Sequence, residues 1–513
     1  MEDFTGKNRF VYNVLTGWGS YVVFLVSGFI LPRLIDNNLS QVSLGIWDFG
    51  WSIINYLSVS DIGVGGSINR FVGKYRMENN IEELNGTISS AVLFQVLLGL
   101  TILLICLTLA LQAPLLFSDK FANEIEPLRY VIVFLGGSLA VQLAFGASRG
   151  VVTGVHRWDL NNLLNATSRF VSVVAIASTL LLGGGLAIMS FFYFLTSLVT
   201  ELVRTSLAFK VCPEFSLSFS GISRSRFKKI FGFGGKTYLL EITPAIIMQS
   251  TAIIVANAIG PSALAVYNRP VALVYFIQRF IQRLSMVIIP TVSSLQAKGD
   301  MEAVKELFLN TSRFSVSMVL PGVLFLMFYG DVILHYWMGP DYLAHHLIII
   351  LSAGFFLIAS QKVAASVLEG LNKHGKVSLI TFTVSIVIFS AGVLVFNELG
   401  WSINRAGFNM VLPLAISFGV IVPLCTVHFL EISYSHFLSE ILIVPFLVNL
   451  VFVGALLACK LIITDMLTSM FTAGVLGGLI LSVLYWKYLI PGDYKAKIVS
   501  KIKNFRQKSS RVN

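Results

Sequence analysis

The chain has 513 residues, of which 56% are hydrophobic and only 12% are charged, and its formal net charge is +11. A soluble globular protein carries about twice that charged fraction, so this composition, with a mean hydropathy of +0.80, predicts a polytopic membrane protein. It excludes a soluble enzyme, a nucleic-acid-binding protein and a secreted module. At about 20 residues for each spanning helix and short connections, the length allows about 14 helices.

Runs without Asp, Glu, Lys or Arg mark most of the predicted spans along the chain. The first run, Phe10 to Pro32, has 23 residues and is too long for the core of a cleaved signal, so it predicts a retained helix. The run 170–200 exceeds one span, and Gly183-Gly184-Gly185 divides it into a hairpin of two helices. The other predicted spans are 84–118, 130–148, 242–268, 342–361, 377–397, 406–430, 441–459 and 466–486, with a shorter one near 314–335 and two charge-interrupted ones near 42–64 and 266–290.

These spans predict an all-α polytopic membrane protein with 14 transmembrane helices. If the N-terminus is cytoplasmic, 25 Lys and Arg residues of the connections and tail fall on the cytoplasmic side and 5 on the other side. Such a bias indicates that both termini are cytoplasmic. The outer loops are then short, which disfavours a membrane-embedded glycosyltransferase or polymerase with catalytic residues in a large outer loop.

Three weak matches in the same order indicate an internal repeat. Residues 43–48 match 263–268 at an offset of 220, Glu83-Leu84 matches Glu306-Leu307 at 223, and residues 154–157 match 370–373 at 216. The repeat is six helices long, so both copies have the same orientation, as in transporters whose pathway lies between two halves. Chance similarity among apolar helices is the alternative.

The repeat predicts a division of the chain into five parts. They are a six-helix lobe at 1–210, a basic cytoplasmic linker at 211–236, a second six-helix lobe at 237–437, two extra transmembrane helices at 438–490 and a basic cytoplasmic tail at 491–513. The linker suits either a short helix in the membrane interface or an ordinary charged loop, and Gly232, Gly234 and Gly235 would let the second half pivot. The tail is predicted to lie along anionic membrane lipids.

Four segments carry short motifs in a fixed order. They are Ser60-Asp61-Ile62-Gly63-Val64-Gly65 with Asn69-Arg70-Phe71-Val72, Ala258-Ile259-Gly260-Pro261 through Tyr267-Asn268-Arg269, Pro290 and Ser293 with Lys298-Gly299-Asp300, and Trp337-Met338-Gly339-Pro340-Asp341-Tyr342. Over about residues 5–490 they resemble the Wzx-type polysaccharide flippases of the multidrug/oligosaccharidyl-lipid/polysaccharide exporter (MOP) superfamily. Arg269-Pro270 departs from the small residue usual in that family. The motifs also have a structural interpretation, in which Asp61 caps a helix and the glycines allow close packing.

The resemblance implies a flippase rather than an enzyme. Its substrate would be a polyprenyl-diphosphate-linked oligosaccharide, moved from the cytoplasmic to the outer leaflet of the bacterial inner membrane for cell-surface polysaccharide such as O-antigen. It implies two lobes around a central cavity, and polysaccharide polymerase machinery as a partner. A drug/cation antiporter of the same superfamily, whose cavity should be acidic, and a peptidoglycan lipid-precursor flippase are the alternatives. The sequence contains no recognisable metal cluster, phosphate-binding Gly-Lys loop or nucleophile triad, so we expect no metal, cofactor or catalytic residue.

Charged residues inside a predicted span are costly, so each raises a functional hypothesis. On the eighth span, Arg279 and Arg283 lie about 40° apart, and Arg269 lies within about 80° of both, which gives a ladder about 21 Å long on one face. Gln278 and Gln282 border this ladder. Guanidinium groups suit a diphosphate because they form bidentate charge-assisted hydrogen bonds. Pairing with Asp48, Asp61 or Glu241 for structure alone is the alternative.

Polar stripes on three other spans are candidates to line a wet cavity and bind sugar hydroxyls. The stripes are Asp48, Ser52 and Asn55 on the second span, Asn165, Arg169 and Ser172 on the fifth, and Glu241 with Gln249 on the seventh. Bridging of neighbouring helices is the alternative. Glu201 and Arg204, three residues apart on the sixth span, are predicted to pair with each other and to have no role in substrate binding.

Overall fold

The computed structural model describes residues 7–61, 63–117, 119–218, 221–285 and 288–489, together with residues 495 and 500. Side chains at 7–10, 119, 122, 123, 231–237, 280 and 283–285 are outside this description. The described chain is helical and contains no β-strand in those ranges. It divides into two compact units, which are residues 1–268 with 389–410 (unit 1) and residues 269–388 with 411–513 (unit 2).

Unit 1 is built from the first ten helices and the start of the eleventh. They are α1 (Lys7–Asn38), α2 (Gln41–Ser58), α3 (Val64–Met77), α4 (Ile81–Leu111), α5 (Ala113–Leu116), α6 (Ile125–Ala144), α7 (Gly146–Gly154), α8 (Trp158–Leu181), α9 (Leu186–Val211), α10 (Arg224–Ala258) and α11 (Pro261–Ser285). Within this unit α8 packs against α1 and α9, and α6 packs against α4 and α9.

The remaining helices belong mainly to unit 2. They are α12 (Ile288–Ala297), α13 (Met301–Met338), α14 (His345–Ser360), α15 (Lys362–Gly370), α16 (His374–Leu399), α17 (Ile403–Leu414), α18 (Val422–Phe429), α19 (Tyr434–Leu438), α20 (Val444–Ile462) and α21 (Met466–Tyr488). The division between the units falls within α11, α16 and α17. Helices α20 and α21 pack against each other and against α13 through an apolar cluster that includes Tyr329, Phe452 and Leu456.

The prediction of an all-α polytopic membrane protein is confirmed, whereas the count of 14 spans is not. Twelve helical segments of the described residues are long and apolar enough to cross a membrane. Helices α2 and α11 are the two predicted spans outside this set, because polar and charged side chains interrupt their apolar runs. The glycine hairpin is confirmed, since α8 ends at Leu181, α9 begins at Leu186, and Gly183 has a φ of 79°.

Two sequence predictions need correction. The charge-free run 242–268 is not one span, because α10 ends at Ala258 and α11 begins after Gly260, whose φ of 136° strongly favours glycine. The basic stretch is neither a separate interfacial helix nor a loop from Arg224 onward, because Ser223 caps α10 and the helix then continues without a break. Gly232, Gly234 and Gly235 therefore lie inside a helix.

The internal repeat is visible in where the helices start. The pairs α2 and α11, α4 and α13, and α6 and α14 start at an offset of 220, whereas α7 and α15, and α8 and α16, start at an offset of 216. His156 and Asn372, which follow α7 and α15, share a positive φ of 62° and 56°. The second sequence match is corrected by these offsets, because Leu84 corresponds to Val304 rather than to Leu307.

The motif around Asp61 makes a tight turn, and its Val64 and Val72 are buried in an apolar cluster. Gly63 has a φ of 68° and precedes α3, and its N–H donates to the Asp61 carbonyl oxygen at 2.6 Å. A Cβ atom on Gly65 would meet no atom within 4 Å, so the absence of a side chain on this glycine does not serve close packing. Close approaches occur where Gly150 of α7 faces the Gly65 carbonyl oxygen and where Gly45 of α2 faces the Pro261 carbonyl oxygen, since a Cβ atom on either glycine would crowd that oxygen.

Candidate functional site

A cavity of about 140 Å³ lies inside unit 1, between α6, α7, α8 and α9. We call it the unit 1 cavity. It is lined by Gln142, Arg149, Asn165, Ser168, Arg169, Ser172, Tyr193, Ser197, Thr200, Glu201 and Arg204. The lining thus brings three arginines together with one glutamate, and the other side chains carry amide or hydroxyl groups. Its volume is well above the roughly 10–15 Å³ that a single water molecule needs, so it can admit a small charged group.

Two polar stripes on neighbouring helices build most of this lining. On α8, Asn165, Arg169 and Ser172 are spaced by four and three residues, and such residues share one helix face. On α9, Ser197, Glu201 and Arg204 repeat the same spacing of four and three residues. Because the hairpin at Gly183 makes α8 and α9 antiparallel neighbours, their polar stripes face each other. The sequence-predicted stripe of the fifth span therefore lies along a cavity.

The charged groups of this cavity lie well inside their helices. Arg204 is seven residues from the end of α9 at Val211, and Arg169 is eleven residues from the start of α8 at Trp158. These separations correspond to about 10 Å and about 16 Å along the helix axis. Both helices are long and apolar enough to span a membrane, and an ionised side chain inside a span is costly, so each of these guanidinium groups raises a functional hypothesis.

Glu201 and Arg204 form the centre of the cavity charge cluster. The Arg204 Nη1 atom donates to Glu201 Oε1 at 2.8 Å, which confirms the pairing predicted from their spacing. The Arg204 Nη2 atom donates to Asn165 Oδ1 at 2.6 Å. The Nη2 atom of Arg149 lies 3.7 Å from the same Glu201 oxygen. Both partners of the central pair are almost fully buried, whereas the Arg149 side chain is half-exposed.

Several buried polar atoms of the cavity have no hydrogen-bond partner among the described residues. They are Glu201 Oε2, Arg204 Nε and Arg169 Nε. Buried polar groups in folded proteins are nearly always paired, so a cluster of unpaired ones indicates a place where solvent or a polar ligand completes the bonding. The Arg169 guanidinium also lies 5.5 Å from the centroid of the Phe24 ring, a distance at which the ring face attracts a cation.

The predicted arginine ladder lies on α11 in unit 2. Arg269 is buried, and its guanidinium carbon lies 6.0 Å from the Trp337 ring centroid. Arg279 is half-buried over the ring of Tyr275 at 4.8 Å. Gln278 and Gln282 are half-buried, and the Gln278 side-chain oxygen is a buried atom without a hydrogen-bond partner among the described residues. The side chain of Arg283 lies outside the described residues.

The other predicted residues lie on α2 and α10 of unit 1 and do not line the unit 1 cavity. Asp48 and Gln249 are half-buried, whereas Asn55 and Glu241 are exposed. The hydroxyl of Ser52 is buried and donates a hydrogen bond to the Asp48 carbonyl oxygen, one turn earlier in the same helix, at 2.9 Å. One hydroxyl group of the α2 stripe is therefore already hydrogen-bonded to the backbone of α2.

Arg149, Glu201 and Arg204 are the charged cavity residues that the sequence pattern did not mark for substrate binding. Arg149 directly follows a charge-free run, so it resembles the boundary of a span. The spacing of Glu201 and Arg204 indicates their pairing, but it does not reveal that a second arginine approaches the same carboxylate. The available signal was the polar repeat on α9, which matches the one on α8. In the part of the chain that the structure describes, no group of three His, Cys, Asp or Glu side chains could hold a metal ion.

The fold is that of a multi-pass membrane protein, and unit 1 contains a buried charged cavity. The family described as "Polysaccharide biosynthesis protein" matches residues 68–347, more than half of the chain, and the chain belongs to that family. This match confirms the recognition based on the motifs.

Two relatives each match about two thirds of the chain. The chain is 22% identical over 381 residues, 70% of this chain and 86% of the relative, to a Shigella flexneri protein provisionally named an O-antigen transporter. It is also 22% identical to the uncharacterized membrane protein EpsK of Bacillus subtilis over 348 residues. This match covers 66% of this chain and 67% of EpsK.

Two solved structures share the fold at low sequence identity. The lipid II flippase MurJ, in an inward closed conformation, superposes with a TM-score of 0.69 at 13% identity and covers 93% of this chain and 99% of that chain. A MOP superfamily transporter from Pyrococcus furiosus superposes with a TM-score of 0.61 at 14% identity and covers 82% of this chain and 95% of that chain.

Proposed function

We propose that this protein is a flippase that moves a polyprenyl-diphosphate-linked oligosaccharide from the cytoplasmic to the outer leaflet of the bacterial inner membrane. The observation that carries the proposal is the unit 1 cavity, which Arg149, Arg169 and Arg204 line together with a single acidic residue, Glu201. Membership of a polysaccharide biosynthesis family supports a saccharide as the cargo.

The diphosphate is the part of such a substrate that has the highest energetic cost of crossing a membrane. Moving an ionised group into an apolar medium without a partner is very costly. A guanidinium offers several N–H donors in a planar fork, which matches phosphate oxygens bidentately. Three guanidinium groups, one of them half-exposed, give an entering diphosphate both a place to bind and a cation that solvent can reach. The neighbouring Ser168, Ser172 and Asn165 provide donors and acceptors for sugar hydroxyls.

The arginines of α11 provide a second group of anion-binding candidates. Arg269 and Arg279 lie on aromatic rings, which attract a cation and hold its plane in one orientation. With Arg283, and with Gln278 and Gln282 beside them, they form the ladder proposed from the sequence. Asp48, Asn55, Glu241 and Gln249 are proposed to contact sugar hydroxyls during the same transport cycle.

Transport is proposed to proceed by alternating access of two six-helix lobes, at 1–210 and 237–437. The repeated helix starts at offsets of 220 and 216 support two equivalent halves. The excess of 25 over 5 basic residues supports cytoplasmic termini, and the basic tail is proposed to contact anionic lipids. Polysaccharide polymerase machinery is the proposed recipient of the flipped substrate.

The charge of the unit 1 cavity also separates the proposal from its alternatives. A drug/cation antiporter needs an acidic cavity for its cationic cargo, whereas this lining has three arginines and one glutamate. A peptidoglycan lipid-precursor flippase would use the same diphosphate chemistry. The likeness to MurJ supports the fold alone, and the polysaccharide biosynthesis family favours a different saccharide.

The proposal is tested by removing one cavity arginine at a time in cells whose only copy is the variant. Arg149→Ala and Arg169→Ala should each lower the amount of lipid-linked saccharide accessible from outside by at least about 100-fold, a loss of about 2.7 kcal/mol in transport. Arg129→Ala is the matched control, because its exposed guanidinium caps helix α4 through the Ala110 carbonyl oxygen and lies outside the cavity. Wild-type delivery by both cavity variants, at normal membrane levels, would refute the proposal.

The α11 ladder is tested separately. Arg279→Ala and Arg283→Ala should stop transport while the protein stays inserted, and Arg→Lys should restore it only partly, since an ammonium keeps the charge but loses the fork. Arg405→Ala is the control, because this exposed arginine donates to the Leu399 and Gly400 carbonyl oxygens. Full activity of both alanine variants would leave the unit 1 cavity as the anion site and assign the ladder to structure.

A further inference from the structure

The unit 1 cavity already contains an anion of its own. The Glu201 carboxylate approaches two guanidinium groups with one oxygen, Oε1, at 2.8 Å from Arg204 and 3.7 Å from Arg149. Its side chain is 3% exposed. Its second oxygen, Oε2, is buried and has no hydrogen-bond partner among the described residues. Buried polar atoms are nearly always paired, so the free Oε2 position indicates that the bonding of this carboxylate is completed by solvent or changes when a ligand binds.

The two contacts of Glu201 differ in strength and setting. The contact with Arg204 is a short charge-assisted hydrogen bond between two buried groups on the same helix, and Asn165 holds the other arm of that guanidinium. The contact with Arg149 is longer, bridges α9 to α7, and involves a side chain that is 46% exposed. Asp61 also attracts Arg149. Arg149 is therefore the guanidinium that an entering ligand can reach and whose bond to Glu201 is the easier one to exchange.

We propose that Glu201 is a resident counter-ion, which a phosphate oxygen of the substrate displaces from Arg149 while Arg204 retains it. This inference rests on the proposed function, because it requires an anion to bind in the unit 1 cavity. A ligand with a single negative charge only replaces one carboxylate with another and gains little. A diphosphate brings several charged oxygens, so it can displace Glu201 from Arg149 and still reach Arg169. Glu201 thereby makes the cavity selective for multiply charged phosphates.

The resident anion also has a role in release. When the diphosphate leaves, Glu201 can return to Arg149 and restore the starting arrangement, so the three arginines do not trap their substrate. Removing its charge should tighten anion binding and slow turnover at the same time. A residue that only positions Arg204 would show the opposite behaviour, because its loss would disorder the site and weaken binding.

Binding of inorganic pyrophosphate to the purified full-length protein in detergent tests this inference. Glu201→Gln keeps an oxygen that accepts the Arg204 hydrogen bond but removes the charge, so its Kd should fall at least about tenfold, equivalent to about 1.4 kcal/mol. Acetate, a singly charged probe, should compete with pyrophosphate in Glu201→Gln and not in the wild type. Asp159→Asn is the matched control, because Asp159 is a buried acid paired with Arg157 at 3.0 Å outside the cavity, and it should leave the Kd unchanged.

The outcomes separate this inference from the proposed function. Pyrophosphate binding that Arg149→Ala does not weaken would overturn the proposed anion site itself. Weakening by Arg149→Ala, together with an unchanged or weaker Kd in Glu201→Gln, would overturn the counter-ion role alone. If Glu201→Gln does not fold, Glu201→Asp serves instead, because it keeps the charge but withdraws it from Arg149 by about one bond length, or about 1.5 Å. The Kd of Glu201→Asp for pyrophosphate should then fall about threefold. An unchanged or higher Kd would reject the inference.

Discussion

Unit 1 contains two arginine–glutamate clusters that have similar composition and different bonding. The first is the cavity charge cluster of Arg149, Glu201 and Arg204. The second, which we call the linker clamp, consists of Glu83, Arg226, Lys229 and the Gly221 carbonyl oxygen. In the linker clamp, Glu83 uses both oxygens, since Oε1 accepts from Arg226 at 2.8 Å and Oε2 accepts from Lys229 at 3.1 Å. Arg226 also donates to the Gly221 carbonyl oxygen.

The linker clamp fastens the connection between α9 and α10 to the start of α4. The Asn85 side chain bonds both the backbone and the hydroxyl of Ser216, and the Ser218 N–H donates to Ser89 Oγ at 3.0 Å. Helix α10 packs on α3 and α4 at this end. This cluster has saturated bonds and a structural role, whereas the cavity charge cluster has open bonding positions beside a cavity. Unused bonding capacity, more than the presence of charge, is therefore what distinguishes the proposed binding site from the linker clamp.

The largest difference between the clusters should appear on removing their acids. Glu201→Ala leaves the Arg204 guanidinium buried without its counter-ion, which should lower the free energy of unfolding by about 3 kcal/mol, the lower end of the usual range because the cavity admits solvent. Glu83→Ala removes a partly exposed partner and should cost less than about 1 kcal/mol. Thermal unfolding of the purified variants in detergent measures both. Equal losses would show that the two clusters are equally structural.

A smaller effect should follow from adding one methyl group inside the linker clamp. A Cβ atom on Gly86 would overlap the Arg226 guanidinium, so Gly86→Ala must displace this flexible side-chain end and loosen the connection, at about 1 kcal/mol. Gly65→Ala is the matched control, because a Cβ atom there meets nothing within 4 Å. Hydrogen exchange of residues 212–218 measures the loosening. Unchanged exchange in Gly86→Ala would contradict the tight packing of Arg226.

The sequence predicted most of the fold because charge and helix-breaking glycines act locally. Charge-free runs indicated the apolar spans, and Gly183 marked the hairpin of α8 and α9 correctly. The count of spans is not confirmed, because α2 and α11, which were predicted as spans, are not apolar enough to belong to the twelve candidate spans of the described residues. The break at Gly260 was missed because a charge-free run can cover two helices. The start of α10 depended on the Ser223 cap and on contacts with Glu83, which is distant in sequence.

The candidate site was only partly predictable for the same reason. The α8 stripe with Arg169 follows from helical periodicity, and the Glu201–Arg204 pair follows from a spacing of three residues. The approach of Arg149 from α7 depends on how separate helices pack, and no local pattern contains that information. Whether Glu201 Oε2 has a partner is likewise a property of the assembled cavity.

The smallest expected effect concerns pH and the connection between α9 and α10. Partial burial opposes ionisation of Glu214, but the hydrogen bond from its own backbone, the attraction of Arg76 at 3.5 Å and a contact with the Cys212 thiol outweigh it, so the Glu214 pKa lies below its usual value of 4.5. A carboxyl group whose pKa is lowered by folding stabilises the folded state above its unfolded pKa, and this contribution is lost as the pH falls through the folded value.

Protection of residues 212–218 from hydrogen exchange, corrected for the intrinsic rate, should therefore be constant from pH 8 to about pH 5 and decline below about pH 4.5, by less than about 1 kcal/mol. Glu214→Gln should remove this decline. Glu78→Gln is the control, because Glu78 is half-exposed and forms an ion pair with Lys74 of the same helix end at 3.8 Å. A decline of the same size in Glu214→Gln would assign the acid sensitivity to Glu83 of the linker clamp. In that case the loss of protection in acid would come from the linker clamp and not from the Arg76–Glu214 pair.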